Sequence, residues 1–300
     1  MDAKSTETVN RRQQGMDEWP TNELVQSLLE GQLAAVAAIQ AAVPTLANAA
    51  EATAERLSRQ DKAGRLIYAG AGASGRLAMQ DGIELLPTFS WPVERVVYLL
   101  AGGDAALTRS VEGAEDEAET GAGRVKELGP GPNDVLIAVA ASGSTPFTIG
   151  CAKTAREAGA LVVSIASNPD SPLLREADHP ILTETGAEPV GGSTRMKAGT
   201  AQKVALNILS TATMIRLGRV YDGYMVDVVA SNAKLVRRSA QILADLADLP
   251  FDQAETLLGK AGAIKPAVLM SKGLSAEQAE QALEQSGGNL RQALALASEG

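Results

Sequence analysis

Histidine and cysteine are almost absent from this chain, with one of each in 300 residues, His179 and Cys151. A single cysteine forms no intrachain disulfide, so folding asks nothing of an oxidising compartment. One histidine and one cysteine leave a Cys/His zinc centre without its ligands. A Ser–His–Asp triad would have to use His179, held in Asp178-His179-Pro180 beside a strand-like run, and is set aside. Basic residues are short as well: 27 Lys+Arg against 36 Asp+Glu give 27 − 36 = −9. The broad positive footprint that releases counterions from nucleic acid is missing, so no nucleic-acid partner is expected. Aromatic residues make up 3%, and Trp19 and Trp91 read as packing residues rather than sugar platforms. The polar Met1–Pro20 segment has no hydrophobic signal core, and no run approaches the roughly 20 apolar residues of a membrane span. A cytoplasmic protein with no membrane partner is expected.

What remains is ordinary for a folded protein: 45% hydrophobic and 21% charged residues over a length that buries a substantial core. Residues 1–20 read as a loosely held arm. Helix is expected from Thr21 to about Leu57, with Leu24, Leu28, Leu29, Leu33, Val36 and Ile39 at three- and four-residue spacing and a break at Pro44. Short apolar runs follow at Arg65–Ala69, Arg95–Leu100, Asp134–Ala140, Leu161–Ala166 and Pro180–Thr183, separated by helix-like stretches. This alternation predicts an α/β fold, a doubly wound parallel sheet in three layers. Helices are expected from Thr194 to about Gly218, with Ala201, Val204, Ile208, Leu209 and Ile215 on the apolar side, and from Tyr224 to about Leu246. Residues 21–249 would form the main domain. After Leu249-Pro250 the composition shifts to short helices at Asp252–Ala261, Ile264–Ser271 and Ser275–Gln285, and a last one after Gly287-Gly288. Residues 250–300 would be a small C-terminal helical subdomain, similar to ubiquitin-associated three-helix modules.

Two loops carry chemistry. Gly70-Ala-Gly-Ala-Ser-Gly-Arg76 follows the first strand and opens a helix, so small residues bring backbone close to a ligand at a positive dipole end. Gly70, Gly72 and Gly75 fit the dinucleotide fingerprint, but the acid expected at the next strand end arrives only at Asp104. By itself the loop fits a nucleotide, another phosphate or a tight turn. Ala141-Ser-Gly-Ser-Thr-Pro146 follows a later strand and again opens a helix, with Ser142, Ser144 and Thr145 as hydroxyl donors. Ser167-Asn168-Pro169 is a third polar strand end. The bland alternative is that these hydroxyls cap helices; two such loops together favour a phosphate cradle without a cationic clamp.

Ser142-Gly-Ser-Thr-Pro resembles the phosphate loop of sugar isomerase (SIS) domains. Four blocks resemble the N-acetylmuramic acid 6-phosphate etherase family: Arg65–Leu77, Val111–Asp116, Gly186–Lys203 and Met225–Asn232. This likeness spans roughly residues 55–300, while Thr6-Glu7 and Asn10 match the family's N-terminal segment only loosely. The resemblance implies cleavage of the D-lactyl ether of N-acetylmuramic acid 6-phosphate to N-acetylglucosamine 6-phosphate and D-lactate, in peptidoglycan recycling. It implies elimination and then water addition by two carboxyl groups, with neither metal nor nucleotide cofactor. Glu84 matches the leaving-group acid and Glu115 the C2 base, with Ile83, Leu85 and Leu86 expected to bury the Glu84 carboxyl. Glu112, three residues before Glu115, would face the same side of a helix and touch the sugar. Gly72, Ser74, Gly75, Ser142, Ser144, Thr145, Asn168 and Ser193 complete the expected substrate contacts, while Arg195 and Lys197 could meet an anionic group. A homodimer with its site near the subunit interface is implied. The chain departs from the family where Ala73 stands for its usual threonine, Ser144 for its usual arginine, and Ile83 and Leu85 flank Glu84 in place of smaller or polar residues. A phosphosugar isomerase and a non-catalytic phosphosugar-sensing regulator are the alternatives.

Overall fold

The computed structural model describes residues 6, 8–59, 64–228 and 233–299. Contacts divide the chain into a first unit, residues 1–83 and 94–212, and a second, residues 84–93 and 213–300. The composition shift at Leu249-Pro250 falls inside the second unit.

The first unit is built on five strands: β1 (Leu66–Gly70), β2 (Val96–Leu100), β3 (Val135–Val139), β4 (Leu161–Ala166) and β5 (His179–Leu182). They form a parallel sheet in the order β2-β1-β3-β4-β5. Every residue of β1, β3 and β4 is buried, the continuous apolar signature of a sheet covered on both faces. The helices around it are α1 (Thr21–Ala37), α2 (Val43–Ser58), α3 (Gly72–Ile83), α4 (Leu85–Phe89, in the second unit), α5 (Ala105–Thr108), α6 (Ala118–Leu128), α7 (Pro146–Glu157), α8 (Pro172–Arg175) and α9 (Lys197–Arg216); α2, α3, α6, α7 and α8 pack on the strands or on one another. On one face Ile67, Leu136 and Val162 meet Val125 of α6, Phe147 and Ala152 of α7 and Leu173 of α8. The other face carries α2 against β3, β4 and β5, and α3 against β1 and β2. The doubly wound expectation is met.

Pro44 does break the N-terminal helix. A 3-10 turn at Ala38–Ala42 separates α1 from α2, and the proline occupies the first turn of α2, where its missing N–H is no loss. Residues 21–58 taken together are long and apolar enough to cross a membrane by composition, contrary to the expectation that no such segment exists. The reason is their alanine content, and α2 lies on the sheet with Leu46, Ala50 and Leu57 buried. The expected stripe on α1 is not a core face: Leu29, Leu33 and Val36 are exposed. Ile208 and Ile215 of α9 are exposed too, while Ala201, Ala205, Leu206 and Leu209 are buried. The arm is tied rather than loose where described. Thr6 is buried and bonded to Asn168, and Gln13 donates to Ser27 Oγ at 3.1 Å.

One ion pair fixes the entry to β1 and β3. Asp134 accepts from the Arg65 N–H at 2.7 Å and from its guanidinium at 3.1 and 2.8 Å, and also from the Gly131 N–H at 2.8 Å. Burial pushes the Asp134 carboxyl up, but these four hydrogen bonds outweigh it and hold the pKa below the ordinary 3.8.

The second unit holds a hairpin, β6 (Val220–Tyr221) and β7 (Tyr224–Met225), then α10 (Ala233–Ala247), α11 (Phe251–Ala261), α12 (Ile264–Ser271), α13 (Ala276–Gln285) and α14 (Leu290–Glu299). The helix expected from Tyr224 therefore starts later. Asp222 and Gly223 both have positive φ, the turn that an Asp-Gly pair makes between two strands. Residues 229–232, the end of the fourth resemblance block, lie outside the described residues, as does Glu7. Leu243, Ala254, Val268, Ala279 and Leu290 form one core. Ser275 closes a capping box with Gln278 at the start of α13.

Asp134→Asn is expected to lower stability by about 1–3 kcal/mol at neutral pH by leaving its donors poorly matched. Because the native carboxyl is depressed, its contribution is present above 3.8 and lost as the pH falls through the lower native value. Urea unfolding at several pH values should show the wild-type advantage vanish toward low pH; a constant advantage contradicts the assignment.

Candidate active site

The strand order reverses between β1 and β3: β2 lies on one side of β1, while β3, β4 and β5 run away on the other. Ligands of such sheets bind in the crevice at the carboxyl ends beside this switch point. Gly70 pairs with Val139, so the loops after β1 and β3, the two singled out in the sequence, leave the sheet side by side.

The first loop is held by close backbone approach. A Cβ on Gly75 would lie 2.7 Å from the Gly70 carbonyl carbon and 2.5 Å from Leu100 Cδ1, so only glycine fits where α3 crosses β1. Ser74 is buried and its Oγ donates to Gln202 Oε1 on α9 at 2.9 Å. Ser74 and Gly75 therefore serve packing, and the expectation that both touch substrate is not supported by where they sit. Gly72 is open, with nothing within 4 Å of a Cβ position.

Gly72 lines a cavity of about 240 Å³ with Arg76, Glu112, Gly113, Ala114 and Glu115. Arg76 donates to the Ala106 carbonyl at 2.8 Å and the Arg109 carbonyl at 3.2 Å, tying the segment that leads to the glutamates onto α3. The two glutamates do not share a helix face as their spacing suggested. Gly113 has φ 74° and starts a 3-10 turn at Ala114–Asp116; α6 begins only at Ala118. The turn brings both side chains to the cavity and leaves them exposed to solvent.

The second loop turns tightly. Gly143 has φ 65°, and a Cβ there would sit 2.1 Å from Ser171 Oγ. Ser144 donates its N–H to Ser142 Oγ at 3.2 Å, with the two hydroxyls 3.2 Å apart. Thr145 is the N-cap residue of α7, its side chain making no cap bond, and Pro146 follows at the first helical position. Asn168 is buried; its amide donates to the Ala141 and Ser142 carbonyls at 3.3 Å each and to Thr6 Oγ1 at 3.0 Å. It braces the loop rather than presenting itself to a ligand. The residues described as lining the glutamate cavity include none from this loop.

Ser193 lies in a turn closed by its N–H to the Val190 carbonyl at 2.9 Å, and it does not line the glutamate cavity. Lys197, expected as an anion contact, is a brace. Its ammonium donates to the Thr185 and Ala187 carbonyls, and burial lowers its pKa against the attraction of Glu188. Glu188, which sequence reasoning missed, is fully buried and caps α9, accepting the Lys197 and Ala198 N–H groups at 2.9 Å each. Asp81 was also missed. It accepts from Tyr68 at 3.1 Å, Asn207 at 2.7 Å and Ser210 at 3.1 Å; burial raises its pKa against these bonds and against Lys203.

Glu84 belongs to the second unit, at the N-cap of α4. It is exposed, and so are Ile83 and Leu86; only Leu85 is buried. The expectation that these neighbours enclose its carboxyl is thus not met within one chain. Cys151 is buried, with its thiol pushed up to about 12 by burial, consistent with a packing residue. Among the described residues no three His, Cys, Asp or Glu side chains gather as a metal site.

Gly143→Ala forces a Cβ into Ser171 and strains the positive φ. It should cost about 1–3 kcal/mol in thermal unfolding; an unchanged melting temperature would show that the loop relaxes freely.

Two family descriptions match: "SIS domain" over residues 130–212, and "Glucokinase regulatory protein N-terminal SIS domain" over residues 48–156. The chain is 48% identical over 295 residues to an N-acetylmuramic acid 6-phosphate etherase of Deinococcus radiodurans, covering 98% of this chain and 96% of that one. It is 44% identical to the Streptomyces avermitilis etherase, covering 99% and 95%. A Bacteroides fragilis crystal structure, described as a phosphosugar isomerase involved in capsule formation, matches with TM-score 0.51 and 26% identity over 68% of this chain and 95% of that one. At this identity and coverage the chain belongs to the N-acetylmuramic acid 6-phosphate etherase family.

Proposed function

We propose that this chain cleaves the D-lactyl ether of N-acetylmuramic acid 6-phosphate with two glutamates, by elimination and then addition of water. The observation that carries the reading is the cavity at the carboxyl ends of β1 and β2, which Glu112 and Glu115 line together with the open backbone of Gly72. The phosphate is held by loop N–H groups and the Ser142, Ser144 and Thr145 hydroxyls, and Glu112 by contact fixes the sugar.

Ring opening exposes the aldehyde at C1 and makes the C2 proton acidic. Glu115 takes that proton; the electron pair forms the C2–C3 double bond as the C3–O bond breaks. Glu84 protonates the departing lactate oxygen. Water then adds at C3, giving a proton to Glu84, while Glu115 returns one to C2. N-acetylglucosamine 6-phosphate and D-lactate leave, and both carboxyl groups are restored. Each group is expected to contribute about 10²–10⁴-fold. A leaving-group acid works best when it holds its proton near neutral pH, which burial favours. Exposed Glu84 acquires such surroundings when the apolar Ile83 and Leu86 beside it are covered.

A homodimer is part of the same proposal. Val25, Leu29, Leu33 and Val36 are exposed and recur at four- and three-residue spacing, a continuous apolar face on α1. A second copy of the chain is its natural cover. We place the enzyme in the cytoplasm, in peptidoglycan recycling.

The alternative is a phosphosugar isomerase, like the Bacteroides fragilis neighbour's description; that chemistry needs a single base and no leaving-group acid. Glu84→Ala separates the two. It should retain solvent exchange of the C2 proton while lactate release falls about 10²-fold or more, whereas Glu115→Ala should lose both. Full lactate release by either variant contradicts these roles. For assembly, light scattering should give about twice 31.0 kDa for the wild type, and a monomer for the Leu29→Glu/Leu33→Glu double variant. A wild-type monomer overturns the dimer, and a dimeric variant overturns the choice of face.

A further inference from the structure

The second unit contains a charged cavity that the ether-cleaving residues do not use. It measures about 580 Å³ and is lined by Arg219, Asp227, Lys265, Ala263, Gly287 and Gly288, among others. Lys265 is 7% exposed, yet it carries its charge to the wall. Its ammonium donates to Asp227 Oδ2 at 2.6 Å and to the Gly288 carbonyl at 2.7 Å. Arg219 Nε lies 3.5 Å from the same Asp227 oxygen. Two cations share one carboxylate, and Arg219 also donates to the Phe89 carbonyl at 3.4 Å and lies over the Trp91 ring; the lining of this half-open cavity thus has one cation more than it has carboxylates. The helix that starts here adds to it. α12 begins at Ile264 after Ala263, and no side chain caps it, so its first N–H groups point outward with the positive end of the helix dipole.

A second cavity of about 330 Å³ adjoins the first, sharing Val228, Gly262 and Ala263. Its walls are mostly apolar, with Val236, Leu258 and Ile264; exposed Glu255 and buried Ser239 are the polar side chains of its lining. Ser239 is buried in this wall and its Oγ has no hydrogen-bond partner. Buried hydroxyls are nearly always bonded, and one left over beside a cavity points to a missing acceptor or donor.

We propose that this pair of cavities is a binding site for a small monocarboxylate with an apolar body. The carboxylate lies between Arg219, Lys265 and the start of α12, and the apolar part fills the second cavity, where a hydroxyl or carbonyl on the ligand would satisfy Ser239. The charge balance selects the class. The first cavity's lining holds two cations and one carboxylate, which matches one ligand carboxylate there, whereas a phosphate dianion would set a second negative charge against Asp227. A neutral molecule of the same shape would leave the cations unmatched.

The full chain is titrated calorimetrically with sodium hexanoate, hexan-1-ol and inorganic phosphate. Hexanoate should bind saturably, and hexan-1-ol and phosphate at least about tenfold more weakly. Gly259 of α11 lines the second cavity, and a Cβ there meets nothing within 4 Å. Gly259→Phe should therefore fill the cavity without disturbing its neighbours, weaken hexanoate at least about tenfold, and release lactate at the wild-type rate. Arg219→Gln should weaken hexanoate as well. No hexanoate binding by the wild type, equal binding of hexan-1-ol or phosphate, or undiminished binding by Gly259→Phe would each overturn the proposal.

Discussion

The parallel pairing of β1 with β2 on one side and β3 on the other is the constraint from which the site follows. A strand flanked in this way must send its loop out beside the loop of a strand wound in the opposite direction. The backbone at β1 cannot drift from that place: Gly70 accepts the Ala101 N–H at 3.0 Å, and Gly75 packs directly on Gly70. The edge is thus rigid on the protein side and open at Gly72. Rigid donors that need no rearrangement are what an anionic substrate requires of a neutral cradle. The bracing continues outward. Arg76 ties the Ala105–Arg109 segment to α3, Asn168 ties the second loop, and Glu188 ties the start of α9. These charged and amide groups look like ligand contacts by residue type, and each is engaged by backbone instead.

That difference marks what could be read from the sequence. The strands were legible because both faces of the sheet are covered, which turns each strand into an unbroken apolar run; the observed bounds differ by about one residue. The switch-point loops were legible because glycine is dictated by local geometry at Gly75 and Gly143. Partners distant in sequence were not. Ser74 reads as a donor until Gln202 is found beside it, and Lys197 reads as an anion contact until the Thr185 and Ala187 carbonyls surround it. Glu112 and Glu115 line one cavity, but not as one helix face: the positive φ of Gly113 makes a turn where their spacing suggested a helix. The Asp222-Gly223 pair did carry a hairpin signal, obscured by the helical composition that follows it.

Helix periodicity also showed its limit on α1. An apolar stripe specifies that a face is covered, not that the same chain covers it. Leu29 and Leu33 satisfy the pattern and remain exposed. The same physics bears on Glu84, whose neighbours Ile83 and Leu86 are apolar and exposed. The second unit shows another case, where partly buried charges gather: Asp227 pairs with both Arg219 and Lys265.

The most direct measurement is the fate of solvent atoms when the wild-type chain turns over N-acetylmuramic acid 6-phosphate in deuterated, ¹⁸O-enriched water. Elimination followed by water addition puts one deuterium at C2 and one ¹⁸O at C3 of the sugar product, and leaves the lactate hydroxyl oxygen unlabelled. Lactate carrying the ¹⁸O, a sugar that keeps its original C2 hydrogen, or no lactate at all would contradict the paired-glutamate mechanism.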